Sequence, residues 1–197
     1  MDNQVLVDSD FCNMIAPGNN IPKEKAFVKS IFDSLGKAPI IHTFVYNEEL
    51  LTNSAIKELV EESYIEIIEY DAFLTEDWYK TQYIDDFVDY YDYMNSGAIP
   101  AKFDEIIKHR AKKNMGEIHS LILAHYLEIP IFMSNDRGAK QLAQSKIDSS
   151  TYHIVVKNVC EVFCDIKRNG SIELDKKTVR SILKQRRDWT EMYKGQG

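Results

Sequence analysis

Gln4-Val5-Leu6-Val7-Asp8-Ser9-Asp10 and Ile129-Pro130-Ile131-Phe132-Met133-Ser134-Asn135-Asp136 share one plan: a short apolar run closed by small polar residues and an acid. Apolar runs of this length, bounded by turn-forming residues, suit strands buried on both faces. The first reads as a strand over 4–7 running into a turn at Asp8-Ser9-Asp10. The second reads as a strand ending at Ser134-Asn135-Asp136. Residues 39–46 (PIIHTFVY) and 152–156 read as further strands. Between these runs the period changes. Residues 23–35 carry apolar side chains at 27, 28, 31, 32 and 35, the spacing of an amphipathic helix, and Gly36 stops it. Asn47 suits an N-cap and Glu48 and Glu49 the first turn of a helix behind it. Positions 56, 59, 60, 64, 67 and 68 predict helix within 54–94, and 101–113 continues in that vein. Gly116-Glu117 opens a helix too apolar for a surface (IHSLILAHYLE), and further helices are expected over 137–145, 158–167 and 176–189. Strands alternating with helices predict an α/β protein, a three-layer α/β/α sandwich around a mostly parallel sheet.

Composition narrows the function classes. The 197 residues favour one domain, and 44% apolar content can fill a core. Eight Gly, five Pro and three Cys exclude collagen, low-complexity disorder and a disulfide-stapled scaffold. Cys12, Cys160 and Cys164 lack zinc-ligand spacing, and a reducing compartment is the simpler expectation. The first residues, MDNQVLVDSDF, have no secretory pattern, and no stretch approaches the roughly 20 apolar residues that span a bilayer. The expectation is a cytoplasmic protein without a membrane.

The net charge of −7 conceals an asymmetry. Residues 48–105 hold 16 acidic and 3 basic residues, a net of −13; residues 137–197 hold 13 basic and 7 acidic, a net of +6. The acidic segment is rich in tyrosine and reads as a helical insertion at about 54–114. The basic one includes a helix at about 174–190, placed to extend an electrostatic track or to dock on the acidic insertion. Substrate is expected along 108–113 and the C-terminal third, with the acidic insertion facing away or meeting a partner.

The acids at strand ends carry the chemistry. In open parallel α/β sheets the carboxyl ends of the strands form the ligand edge, so Asp8, Glu48 or Glu49, and Asp136 can converge there although distant in sequence. Glu117 opens the most apolar helix and joins them at the rim of the core. Clustered carboxylates cannot all stay ionised without a counter-charge. A hard divalent cation, Mg²⁺ or Mn²⁺, supplies it, and phosphodiester hydrolysis is the usual work of such a shell. Each acid also has a plainer role: Asp136 as a helix N-cap, Asp8 as a turn residue, Glu117 as a partner of the helix dipole. His119 and His42 read as packed side chains, Cys160 and Cys164 as core. Ser9 and Ser134 flank the acids and could hold a metal-bound water.

Val5-Leu6-Val7-Asp8-Ser9-Asp10, Glu48-Glu49-Leu50 at a helix start, and Gly116-Glu117-Ile118-His119-Ser120-Leu121 followed by Ile131-Phe132-Met133-Ser134-Asn135-Asp136 together resemble the PIN-domain nucleases. The resemblance covers 4–51 and 115–160. It implies a PIN-like fold and metal-dependent cleavage of single-stranded RNA, with Asp8, Glu117 and Asp136 as metal ligands or water-positioning acids and Glu48 or Glu49 as a further acid. Arg137 and Gly138 stand where compact members often carry another acid, and His119 where some relatives have a second carboxylate. Lys112, Lys113 and Arg137, next in sequence to these acids, are expected to contact phosphates. The expected partners are an RNA strand, an antitoxin or other protein, and a second copy of the chain. Two other readings use the same residues: a binding module without turnover and a structure-selective DNA nuclease.

Overall fold

The computed structural model describes residues 3–68, 77–95, 106, 114–148, 152–169 and 174–185. The strands β1 (Gln4–Val7), β2 (Ala38–His42), β3 (Glu66–Ile68), β4 (Ile131–Met133) and β5 (Val155–Lys157) form one sheet. Their order is β3-β2-β1-β4-β5, and every pair is parallel. Leu6 lies between Ile40 of β2 and Phe132 of β4. Strand order therefore turns around between β1 and β4. This is where a doubly wound sheet opens a crevice at its carboxyl edge.

Side-chain alternation sends each strand into two cores. Val5, Val7, Ile41 and Met133 pack with α1 (Ser9–Ile15), α2 (Ile21–Leu35), α3 (Ser54–Glu61), α7 (Val159–Asn169) and α8 (Lys176–Gln185). Leu6, Ile40, Ile68, Phe132 and Val156 pack with α4 (Asp77–Asn95), α5 (Met115–Tyr126) and α6 (Arg137–Leu142) on the other face. This is the three-layer α/β/α fold. It explains why β1 and β4 read as continuous apolar runs: neither face meets water. Among the described residues, no helix is long and apolar enough to cross a membrane.

Several local expectations shift. Residues 66–68 are an edge strand, not helix: α3 ends at Glu61, and Ser63, in the left-handed region at φ 57°, turns the chain back onto β2. Residues 54–68 thus belong to the layered fold rather than to an insertion; of the remainder of the expected 54–114 insertion, α4, Ile106 and Asn114 are described. Val45–Glu49 forms one π-helical turn, and Asn47 lies inside it instead of capping a helix. Residues 9–15 are helical, with Asp8 as their N-cap. The basic α8 buries Val179, Ile182 and Leu183 in the core opposite α4, so it does not dock on the acidic helix. Residues 186–190 of the expected basic helix lie outside the described residues.

The loop behind the π-helical turn is held by one buried side chain. Asn53 accepts from the Ile56 N–H at 3.1 Å, capping α3, and donates to the Ala16 carbonyl and Asn13 Oδ1, both at 2.9 Å. Asn53→Ala removes a cap and leaves a buried carbonyl unpaired, a cost of about 2 kcal/mol. Urea unfolding should show it as a lowered midpoint with unchanged slope.

Candidate active site

β1 ends at Val7, and Asp8 begins the site. Its N–H donates to the Met133 carbonyl of β4 at 2.9 Å, so the two strand ends stay in step. Its side chain is wholly buried: Oδ1 accepts from the Ser9 N–H at 2.8 Å and Oδ2 from the Ser134 hydroxyl at 3.0 Å. The capping role and the site role therefore fall on the same carboxylate. Ser134 Oγ also accepts from the Asp136 N–H at 3.1 Å, which links the two strand-end acids through one hydroxyl. Asp136 in turn caps α6, accepting from the N–H groups of Gly138 and Ala139.

The choice between the paired glutamates is made by the π-helical turn. Glu49 points inward; its Oε2 accepts from Ser9 Oγ at 2.5 Å, and the Gly116 N–H donates to the same carboxylate. Glu48, one residue earlier, is exposed and adds its charge beside Glu49. A glycine is needed at 116 because a Cβ there would overlap Glu49 Oε1 and lie 2.9 Å from Glu49 Cδ. Gly116→Ala should displace Glu49 while adding up to about 1 kcal/mol of helix propensity. We expect Glu49 to lose its bonds to Ser9 and to the Gly116 N–H with no loss of melting temperature. A lowered melting temperature would instead mark Gly116 as a folding residue.

Glu117 follows in the first turn of α5, at intermediate burial. Burial, and then the charges of Glu49, Asp136 and Asp10, push its carboxyl up to about 7. Asp8 is raised well above the usual carboxylate range by burial and by Glu117, Asp10 and Glu49. Glu49 is raised as well, burial first and Asp10 among the charges. Asp8, Asp10, Glu49, Glu117 and Asp136 are thus one electrostatic unit of like charge, and it lies at the β1/β4 crevice. Asp10 was not among the acids singled out from the sequence. Its signal was its spacing, two residues past Asp8 in the first turn of a capped helix.

The donor chemistry, carboxylate oxygen throughout, fits a hard divalent cation. The placement is looser than one coordination shell: among the described residues, no three His, Cys, Asp or Glu side chains stand close enough to hold a metal ion. All five acids are engaged by backbone N–H groups within the chain, and Asp8 and Glu49 by serine hydroxyls as well.

Arg137 is exposed at the start of α6, and Lys140, a turn later, pairs with Glu161 at 3.0 Å. Both line a small cleft with Ser134, Asn135 and Asp136. Lys112 and Lys113 lie outside the described residues. The sidedness of charge is also altered. α4 packs on α5 and α6, and Met94 near its C-terminal end comes against Gly138, so the acidic helix ends beside Asp136 rather than remote from it.

His119 is a packed residue. The Tyr83 hydroxyl pairs with its Nδ1, and its ring sits among His42, Phe44 and Phe87. Burial drives His119 well below the ordinary histidine range and His42 down to about 4, so both are neutral. Cys12, Cys160 and Cys164 are buried thiols not joined by a disulfide. The chain matches no protein-family model, no curated protein and no solved structure.

Proposed function

We propose that this chain is a PIN-like, metal-dependent nuclease that hydrolyses single-stranded RNA, with Asp8, Glu117 and Asp136 holding Mg²⁺ or Mn²⁺. One observation carries the reading: five acids from four separate segments meet at the switch point of a parallel sheet, and burial together with their mutual repulsion raises Asp8, Glu49 and Glu117. Such a set is destabilising unless protons or a cation neutralise it, and a hard divalent cation suits its all-oxygen donors. A bound ion supplies Lewis acidity and charge neutralisation at the phosphoryl group. The chain's own residues do the rest. Ser134 fixes Asp8 and Asp136 relative to each other, and Ser9 and Gly116 orient Glu49. Arg137 offers positive charge to a neighbouring phosphate. The buried free thiols accord with a cytoplasmic setting.

A second reading, a PIN-like binding module without turnover, is favoured by the absence of a closed three-ligand group among the described residues. Two measurements separate them. Millimolar Mn²⁺ should raise the melting temperature, as any ligand of the folded form must. Matched RNA and DNA strands incubated with Mn²⁺ or Mg²⁺ should show cleavage of RNA. Cleavage of DNA alone would replace RNA by DNA as substrate, and neither a thermal shift nor cleavage would leave the binding module. A toxin role predicts growth arrest on expression, relieved by Asp136→Asn.

A further inference from the structure

Three consecutive residues, the N-cap and the first two positions of α1, reach three different partners. Asp8 accepts from Ser134, Ser9 donates to Glu49, and Asp10 accepts from the Asn135 N–H with both oxygens, at 3.1 and 3.0 Å. Successive helical side chains diverge by about 100°, so a single turn can serve as such a junction. We propose that Asp10 is a positioning residue of the carboxylate site, a clasp that fastens residues 134–136 to α1. The inference rests on the reading of that site as a metal centre.

Residues 134–136 are a short link between β4 and α6, and each is tied down. The Ser134 N–H donates to the Lys157 carbonyl at 3.1 Å, and Asn135 Oδ1 accepts from the Val159 N–H at 3.0 Å. These two bonds hold the link toward β5 and α7. The Ser134 hydroxyl and the Asp10 clasp pull it the other way, toward β1 and α1. Asp10 engages the main chain of the link from that side through a charge-assisted bond, the stronger kind. Asp136 follows Asn135 directly, so the position of its carboxylate is inherited from where the Asn135 peptide is held. A displacement of about 1 Å at a site of this type costs about 10²-fold in rate.

A carboxylate in the first turn also suits the helix dipole, and Asp10 adds charge to Asp8, Glu49 and Glu117. The conservative variant tells these roles apart. Asp10→Asn keeps an acceptor for Asn135 and loses the charge, whereas Asp10→Ala loses both. Three readouts on the full chain decide: hydrogen exchange at the Asn135 amide, the Mn²⁺ concentration needed for half of the thermal shift, and kcat and KM on a single-stranded RNA. Asp10→Ala should speed Asn135 exchange at least about tenfold, weaken Mn²⁺ about 10- to 100-fold, and lower kcat more than it raises KM. Asp10→Asn should restore Asn135 protection and most of the Mn²⁺ response and kcat. Asp10→Ser, too short to reach Asn135, takes the place of alanine should that variant not fold. The clasp is overturned if Asn135 stays protected in Asp10→Ala or Asp10→Ser. It is equally overturned if Asp10→Asn protects Asn135 yet loses as much activity as Asp10→Ala, since charge alone would then matter. If the wild type shows neither a Mn²⁺ shift nor cleavage, the metal-centre reading fails by itself, and the exchange measurement still decides the clasp.

Discussion

An Asp8→Asn protein is expected to lose metal-dependent cleavage by about 10³-fold or more, about 4 kcal/mol on the barrier at about 1.4 kcal/mol per decade. It should nevertheless fold as the wild type does. The substitution is nearly isosteric, and the side-chain oxygen can still accept from the Ser9 N–H that caps α1. What disappears is a fully buried acid whose ionisation Glu117, Asp10 and Glu49 oppose. Removing it relieves repulsion, so the melting temperature without divalent ions should equal or exceed that of wild type. The Mn²⁺-induced rise should shrink because an anionic ligand is missing. Three readouts therefore move in different directions, which simple unfolding cannot imitate. Mn²⁺-dependent cleavage that survives in both Asp8→Asn and Asp136→Asn would sink the assignment of the site.

The second large effect concerns pH. Glu117 has its carboxyl pushed from 4.5 to about 7, by burial first and by neighbouring acids after it. The folded protein then keeps a proton that the unfolded chain releases, so the sign is opposite to that of a salt-bridged acid. The stability this proton contributes is present in full below pH 4.5 and is lost as pH rises through about 7. At about 1.4 kcal/mol per pH unit, the interval sets an upper bound of about 3.5 kcal/mol. Asp8 and Glu49 act in the same direction. Urea midpoints in EDTA should fall between pH 5 and 7.5 in the wild type. Glu117→Gln should flatten that fall, its advantage over wild type growing with pH and levelling above about 7. Added Mn²⁺ should stabilise the wild type more at pH 8 than at pH 5, because protons compete for the same oxygens. A Glu117→Gln advantage independent of pH would show that Glu117 is not held protonated by the fold.

Much of this is legible in the sequence. The continuous apolar runs of β1 and β4 announce strands buried on both faces, and acids directly after them announce a ligand edge. Both statements depend on neighbours in sequence, which is why they can be read. The missed strand β3 shows the limit. Its three residues, Glu66–Ile68, continue an i, i+3, i+4 pattern begun in α3, and periodicity has no power over so short a segment. Only pairing with Ile40, Ile41 and His42 makes it a strand. Asp10 was passed over for a related reason: its partner, the Asn135 amide, lies 125 residues away and leaves no local mark.

By itself, the sequence determined that this is an α/β protein with its acids gathered at strand ends and helix starts, because those features follow from local period and turn chemistry. The tertiary structure alone decided that β1 and β4 are neighbours, which makes Asp8 and Asp136 one site. It decided that Glu49 and not Glu48 faces that site, since the π-helical turn sets the direction of each side chain. It also decided that the basic α8 and the acidic α4 stand on opposite faces of the sheet. The reason is common to all three: strand order, side-chain direction at an irregular turn and layer assignment are settled by long-range packing of two cores, and no short stretch of the chain encodes them.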